Sequence, residues 1–362
     1  MYFKNHPNEL FDFYRSSKLE YCCVCCGKKY KDIYSNQHCE CTSKYYNTII
    51  SNKMSFFNTP ILGEGDTPLV FSKKLSDSFS YEIYLKDETF NPTGSFKDRE
   101  TAYIFSTISK NSSVHIVSSG NAAISALVYG SKLGIKCSCH IPNETSIKKR
   151  DLLSKLNGKL CIHDGTYEEI YESLVDELKD KINITSGQMI DRELGTSSLV
   201  QEVFDSGVFP QAIVMPAGNG ALLFGVFIGC LELLLAGKIN QLPKLFGVQI
   251  KGHAPLAEAL KLDKSFVRLN KRPRGICEAI LADASYCSPK ALLGVNLSKG
   301  SIIQVDEDEV LFAKEQLDTL GYSVEESSAS ALASIAYLDK YIPKKTKVLL
   351  ILSGSFQKKG LI

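Results

Sequence analysis

Short aliphatic runs that end in glycine- or serine-rich turns and open at once into helical patterns constrain this chain more than any other feature. Val114-His115-Ile116-Val117 leads through Ser118-Ser119-Gly120-Asn121 into small and apolar residues as far as Gly134. Ala212-Ile213-Val214-Met215-Pro216 leads through Ala217-Gly218-Asn219-Gly220 into a long apolar helix. The strand pattern Tyr81 to Lys86 is followed by the loop Asn91-Pro92-Thr93-Gly94, then by Ala102, Ile104, Phe105 and Ile108 at helical spacing. Short apolar runs bounded by turn signals read as buried strands, and the 3.6-residue spacing reads as helix. The rhythm continues with a strand from Ile135 to Ile141 and helices over Ser146–Leu156 and Tyr167–Leu178. Phe246–Ile250 and Val348–Leu352 are further core strands. Strands alternating with helices form open sheets covered by helices, so the predicted class is α/β.

Each strand–turn–helix junction presents unpaired backbone N–H groups and the positive end of a helix dipole. Lys97 sits at or just inside such a helix start. That environment favours the neutral, nucleophilic form of an amine, which makes it a candidate Schiff-base former. Ser118, Ser119, Asn121 and Ala122 form either an anion-binding turn or a plain helix cap. Gly218, Asn219, Gly220, Ala221 and Leu222 read as a phosphate cradle at a helix start. They are not a dinucleotide fingerprint, because the third glycine position is Leu223, and this disfavours a dehydrogenase.

Partners are bounded by charge and hydropathy. The formal net charge of +2 gives no electrostatic reason for nucleic-acid binding. Ala221 to Gly237 is the most apolar stretch, but it is short for a bilayer and contains Glu232, so a buried helix is expected and no membrane partner. Met1 to Pro7 lacks the apolar core of a secretory signal. With 12 cysteines and an enzyme-sized chain, reduced thiols and a cytoplasmic address are expected. Six of the cysteines fall within residues 22–41. Cys23-x-x-Cys26-Gly27 has zinc-knuckle spacing, with Cys22-x-x-Cys25 as a rival pair. Cys39-x-Cys41 or His38-x-x-Cys41 is left to complete a tetrahedral set, with Tyr30, Tyr34, Tyr45 and Tyr46 expected in small strands around it. A ribbon that has lost its metal is the competing reading.

The stretch Asn91-Pro92-Thr93-Gly94-Ser95-Phe96-Lys97-Asp98-Arg99 resembles the cofactor-lysine motif of threonine synthases and related fold-type-II pyridoxal-phosphate (PLP) enzymes. Leu62 to Leu69 is similar to a turn before the first strand in that family. The resemblance implies two open, twisted, mostly parallel sheets flanked by helices, preceded by a small zinc-ribbon-like element. It divides the chain into a ribbon over 1–50, a large domain over 51–100 and 188–362, and a small domain over 101–187. It implies that Lys97 carries PLP, and that Gly218 to Leu222 hold its phosphate. Asn121 is expected at the ring hydroxyl and Ser353 at the ring nitrogen, while Ser118, Ser119, Asn121 and Ala122 hold the substrate carboxylate. A neutral hydroxyl at the ring nitrogen suits elimination and replacement over transamination. The zinc ligands implied are Cys23, Cys26, Cys39 and Cys41.

The function so implied is β- or γ-elimination or replacement on an amino acid with an activated side-chain oxygen, by a homodimeric carbon–oxygen lyase. Within that class stand threonine synthesis, a β-replacement synthase of the cysteate, cysteine or diaminopropionate type, and a serine or threonine dehydratase. A catalytically inactive adaptor on the same fold is the reading of another class. Retention of Lys97, Asn121 and Ser353 together speaks against it. Two departures from the family are visible. Ser197 stands where a phosphate-holding lysine is expected, although Arg192 is present, and Arg274 to Ile280 match poorly. Cys277 in that segment reads as a small core residue rather than a pocket thiol.

Overall fold

A computed structural model describes residues 1–31, 38–53, 60–156 and 158–356. The first three strands, β1 (Tyr21–Cys23), β2 (Lys29–Tyr30) and β3 (Ile49–Ser51), form an antiparallel sheet in the order β2-β1-β3. β4 (Leu69–Phe71) and β5 (Glu82–Asp87) begin a second sheet. A third contains β6 (Ser113–Val117), β7 (Lys136–Pro142), β8 (Lys159–His163) and β9 (Ile182–Asn183). β10 (Ala212–Pro216), β11 (Lys244–Ile250), β12 (Ser301–Val305) and β13 (Lys347–Leu352) return to the second. Its order is β12-β11-β10-β13-β5-β4, parallel throughout except for the antiparallel edge strand β4. The third sheet has the order β8-β7-β6-β9 and is all parallel. These are the two open, mostly parallel sheets and the small amino-terminal element that the sequence implied.

The last strand in the chain lies near the middle of the large sheet. β13 runs between β10 and β5, with Val348, Leu349, Leu350, Ile351 and Leu352 all buried, which is why that stretch shows no polar alternation. The helix Ala221–Leu235 is buried along most of its length, as expected, with Glu232 only partly so. Gly225 and Gly229 face segment 193–200 so closely that a Cβ would come within 2.4 Å of Glu193 O and 2.6 Å of Ser197 O. Only glycine fits this contact.

The amino terminus differs from expectation in two ways. Helix Pro7–Arg15 buries Leu10, Phe13 and Tyr14, and Asn52 closes its end by donating to Phe13 O, Ser16 O and Lys18 O. Tyr30 lies in β2, but Tyr45 and Tyr46 are in a turn rather than a strand, and Tyr46 stacks on Phe266 at 4.5 Å. Tyr34 lies outside the described residues.

Beneath the helix start that carries Lys97 is a buried group of charges. Arg99 Nε and Nη2 donate to Glu88 at 2.6 and 2.9 Å, and Nη1 and Nη2 donate to Glu202 at 2.5 and 2.9 Å. Lys86 Nζ adds a bond to Glu202 at 2.7 Å and one to Thr67 O at 2.6 Å. Two cations thus meet two carboxylates, and the two long cationic side chains are almost wholly enclosed. Removing one member of such a set leaves an uncompensated buried charge.

Burial alone would raise the Glu202 carboxyl, but the hydrogen bond and charge of Arg99, joined by Lys86, outweigh it and hold the group at about 2. A carboxyl depressed on folding adds stability above its unfolded value of about 4.3 and loses it as pH falls through the folded value. E202Q is therefore expected to cost about 3 kcal/mol at neutral pH. It should also flatten the decline in stability between about pH 4.5 and 2. Urea unfolding across that range measures both effects, and an acid decline as steep as that of the parent would contradict the assignment.

Candidate active site

The loop that presents Lys97 is built by local hydrogen bonds and then fastened to the carboxyl end of β13. Gly94, at φ +79°, closes a turn by donating to Asn91 O at 2.8 Å. The Asp98 carboxylate accepts from Thr93 N and Thr93 Oγ1, both at 2.6 Å, so the aspartate is spent on the loop. The helix Lys97–Thr107 starts at Lys97 itself. Phe96 N donates to Ser353 O at 3.0 Å and Ser355 N to Gly94 O at 2.9 Å, which sets Ser353 against the lysine loop. Lys97 Nζ lies 4.4 Å from the Phe96 ring centroid and donates to Glu100 Oε2 at 2.9 Å.

The serine turn approaches from the small sheet. β6 ends at Val117, and the helix Asn121–Leu133 begins after Gly120 without a side-chain cap. The alternative of a plain serine cap is therefore not what the turn does; Ser118 Oγ accepts from Gly120 N at 3.3 Å instead. Asn121 Nδ2 donates to both Glu325 oxygens, at 3.2 and 3.1 Å. Glu325 N in turn donates to Gly354 O at 3.0 Å. A Cβ on Gly354 would lie 3.0 Å from Ser95 Cβ and 3.2 Å from Asn121 Nδ2, so lysine loop, serine turn and β13 meet at this point.

The glycine loop follows β10, the neighbour of β13, on the same carboxyl edge. Such an edge is where open α/β sheets bind ligands. Ser285 Oγ donates to Gly218 O at 2.6 Å, Cys287 N to Asn219 O at 3.1 Å and Tyr286 N to Asn219 Oδ1 at 3.3 Å. Asn219 Nδ2 reaches Tyr167 Oη at 3.4 Å. Gly220 is at φ +90°, and a Cβ on Gly218 would sit 2.8 Å from Ala279 O. The poorly matching segment 274–280 thus forms one wall of this loop. The helix from Ala221 has no side-chain cap, which leaves its first N–H groups without a side-chain acceptor. Leu222 is buried in the core, so it can offer a ligand only its backbone.

A family profile described as pyridoxal-phosphate dependent enzyme matches residues 61–354, nearly the whole span that carries these loops. The chain belongs to that family. The threonine synthase of Methanosarcina acetivorans is 28% identical over 284 residues, covering 76% of this chain and 70% of that protein. The threonine synthase of Mycobacterium leprae is 29% identical over 285 residues, covering 76% and 77%. Among solved structures, the processed form of threonine deaminase isoform 2 from Solanum lycopersicum superposes with a TM-score of 0.68 at 21% identity over 83% of this chain and 82% of that one. A fungal L-serine ammonia-lyase from Rhizomucor miehei gives 0.69 at 20% over 80% and 94%. At such identities these structures establish the shared fold.

The residues present fit the cofactor of this family. A glycine cradle with an uncapped helix start suits a phosphate, and Ser95 Oγ is buried without a partner two residues before Lys97. An apolar cavity of about 370 Å³ near Phe204 and a polar one of about 520 Å³ walled by Glu168, Arg268 and Asp283 include none of Lys97, Asn121, Gly218 or Ser353 in their walls. Ser197 is buried, with its hydroxyl committed to Leu194 O at 2.7 Å. Arg192 is fully enclosed and pairs with Glu100 at 2.9 Å, rather than lying at the surface as a lone arginine in a sequence usually does. Lys290, a lysine inside the apolar pattern Pro289 to Leu293, is equally enclosed and pairs with Glu193 at 3.3 Å. Neither Glu100 nor Lys290 stood out in the sequence, although Lys97-x-x-Glu100 has the spacing of one helix face. Cys277 is a core residue, its thiol pushed up to about 12 chiefly by burial.

The cysteine alternatives are separated by geometry. The Sγ atoms of Cys23, Cys26, Cys39 and Cys41 all lie within 4.8 Å of one another. Cys22 instead donates to Gly27 O at 3.2 Å, its thiol pushed up to about 12 chiefly by burial, and His38 Nδ1 lies 3.4 Å from Tyr46 O. Four thiolates around one zinc sit about 3.8 Å apart, and the observed 3.3 to 3.6 Å contacts are close to that. Protein purified without chelator is expected to carry about one equivalent of zinc. C23S or C39S should lose it, and C22S should keep it. Metal analysis that finds zinc unchanged in C23S would contradict this ligand set.

Proposed function

We propose that this chain is a PLP-dependent carbon–oxygen lyase or synthase that eliminates or replaces an activated oxygen substituent on an amino-acid side chain. The observation carrying this reading is the joining of the Lys97 loop to Ser353 and Asn121 at one strand edge, beside the glycine loop. PLP, when bound, stabilises negative charge developing at the substrate α-carbon. The remaining work falls to the protein. Lys97 Nζ binds the cofactor covalently and, when released by the substrate amine, takes the proton from the α-carbon. Gly218 to Leu222 hold the phosphate through backbone N–H groups, and Ser353 offers a neutral hydroxyl to the ring nitrogen. Asn121 orients the ring, and Ser118, Ser119 and Ala122 hold the substrate carboxylate.

Threonine synthases of other organisms, together with the deaminase and ammonia-lyase structures, support elimination chemistry on hydroxyl-derived amino acids. The leaving group is better read as neutral or singly charged than as a phosphate dianion. Ser197 offers no cation, and the cations of its segment, Arg192 on the same turn and Arg99 beside Ser198, are enclosed in pairs with Glu100 and with Glu88 and Glu202. The domain division given above belongs to the same proposal, supported by the third sheet lying wholly within residues 113–183. So do the homodimeric state, which rests on the family resemblance, and the cytoplasmic address, which rests on the reduced thiols expected of an enzyme-sized chain and is supported by the free cysteines among the described residues. No helix among the described residues is long and apolar enough to cross a membrane.

The test is product formation from O-phosphohomoserine, O-phosphoserine, O-acetylserine, serine and threonine. O-acetylserine or a free hydroxyl amino acid is expected to turn over about tenfold or more faster than either phosphate ester, the difference one lost charge-assisted contact makes. K97A should turn over none of them. Preference for O-phosphohomoserine would overturn the leaving-group reading, and residual K97A turnover would overturn the site.

A further inference from the structure

The first turn of the Lys97–Thr107 helix carries two carboxylates, and only one of them reaches Lys97. Asp98 is turned to Thr93, whereas Glu100, three residues on and on the same helix face, accepts from Lys97 Nζ. Glu100 is 0% exposed. Its Oε2 also accepts from Arg192 Nε, contributed by a segment 92 residues further along the chain. Arg192 Nη1 is committed to Ile184 O, while Arg192 Nη2 and Glu100 Oε1 are buried without partners. An enclosed carboxylate–guanidinium pair adds less stability than an apolar pair of the same size. Buried polar atoms left unsatisfied call for a role other than packing. Both features occur beside the one lysine on which the chemistry depends.

We propose that Glu100 is the positioning residue of Lys97: braced by Arg192, it receives the protonated amine whenever the lysine is not covalently engaged. It thereby holds Nζ in place and supplies the negative charge that faces the ammonium. This rests on the reading of Lys97 as the PLP lysine. Glu100 itself takes up no proton. The proton that Nζ removes from a substrate α-carbon stays on nitrogen, and the carboxylate neutralises the ammonium. Burial would by itself raise the Glu100 carboxyl, but the charges of Lys97 and Arg192 hold it below the usual carboxylate range, so an anion faces Nζ at neutral pH. The other charges near it are already paired. Arg99 faces Glu88 and Glu202, and Glu193 faces Lys290. The helix Asn121–Leu133, which packs against the Lys97 helix, brings the exposed Lys132 and the buried Tyr129, whose hydroxyl donates to Glu64 at 2.8 Å.

The experiment loads PLP over a series of pH values, fixes it on Lys97 with borohydride and reads the fixed fraction by mass spectrometry of the Lys97 peptide. In E100Q half-fixation is expected at a pH lower by about 1 unit or more, because the ammonium has lost its partner. E100D keeps the charge on a shorter arm and should fall between E100Q and the parent, a graded response that a purely structural residue does not give. Thermal unfolding reports whether each variant folds, and E100D alone decides the matter if E100Q does not. Midpoints equal to that of the parent in every folded variant would overturn the proposal and leave the PLP reading intact. PLP fixed nowhere in the parent would overturn both.

Discussion

An arginine side chain shut away from water dictates how this site is assembled. Arg99 lies two residues beyond Lys97, and its guanidinium must be met on every side by acceptors or the fold carries an unpaired buried charge. Glu88 from the loop after β5 and Glu202 from the helix Ser198–Asp205 meet it, with Thr67 and Ser198 adding hydroxyls. Those partners come from three separate parts of the chain. Bringing them together fixes the start of the Lys97 helix relative to the sheet before any ligand is considered. Such fixed first-turn geometry is what a covalent cofactor site needs.

A second set of contacts ties the amino-terminal element to the same place. Asn47 N donates to Gly187 O and Asn47 Nδ2 to Gln188 O, while Ser51 Oγ donates to the Asp191 carboxylate at 2.7 Å. Asp191, at φ +66°, leads directly into Arg192. The cysteine ribbon therefore braces the segment whose arginine reaches Glu100, and through it Lys97. A metal held by the cysteines would stiffen a support of the site from outside the cleft.

Much of this was legible in the sequence because backbone chemistry writes itself into residue type. The buried strands Ala212–Pro216 and Val348–Leu352 showed as unbroken apolar runs, and the turns at Ser118 and Gly218 showed as breaks just before helices. The motif around Lys97 was legible through its resemblance to a cofactor-lysine motif, and the loop's shape rests on the turn at Gly94 and the Asp98 carboxylate bonded to Thr93. What stayed hidden depends on long-range contact. Nothing in the sequence distinguishes Arg192 or Lys290 from surface cations until Glu100 and Glu193 are placed beside them. The edge strand β4 was not read from the sequence, where only its first residue, Leu69, fell at the end of a turn, because Val70 and Phe71 gain their pairing only from β5. Cys23 and Cys22 could be told apart only once the four Sγ atoms had converged.

The most direct test of the central claim is the absorbance spectrum of the purified protein, recorded alongside that of K97A after both are incubated with PLP and desalted. A visible band of lysine-bound PLP is expected in the parent and is expected to be absent from K97A. A parent protein with no such band, or a K97A variant that retains it, would contradict the assignment of Lys97 as the residue on which this site is built.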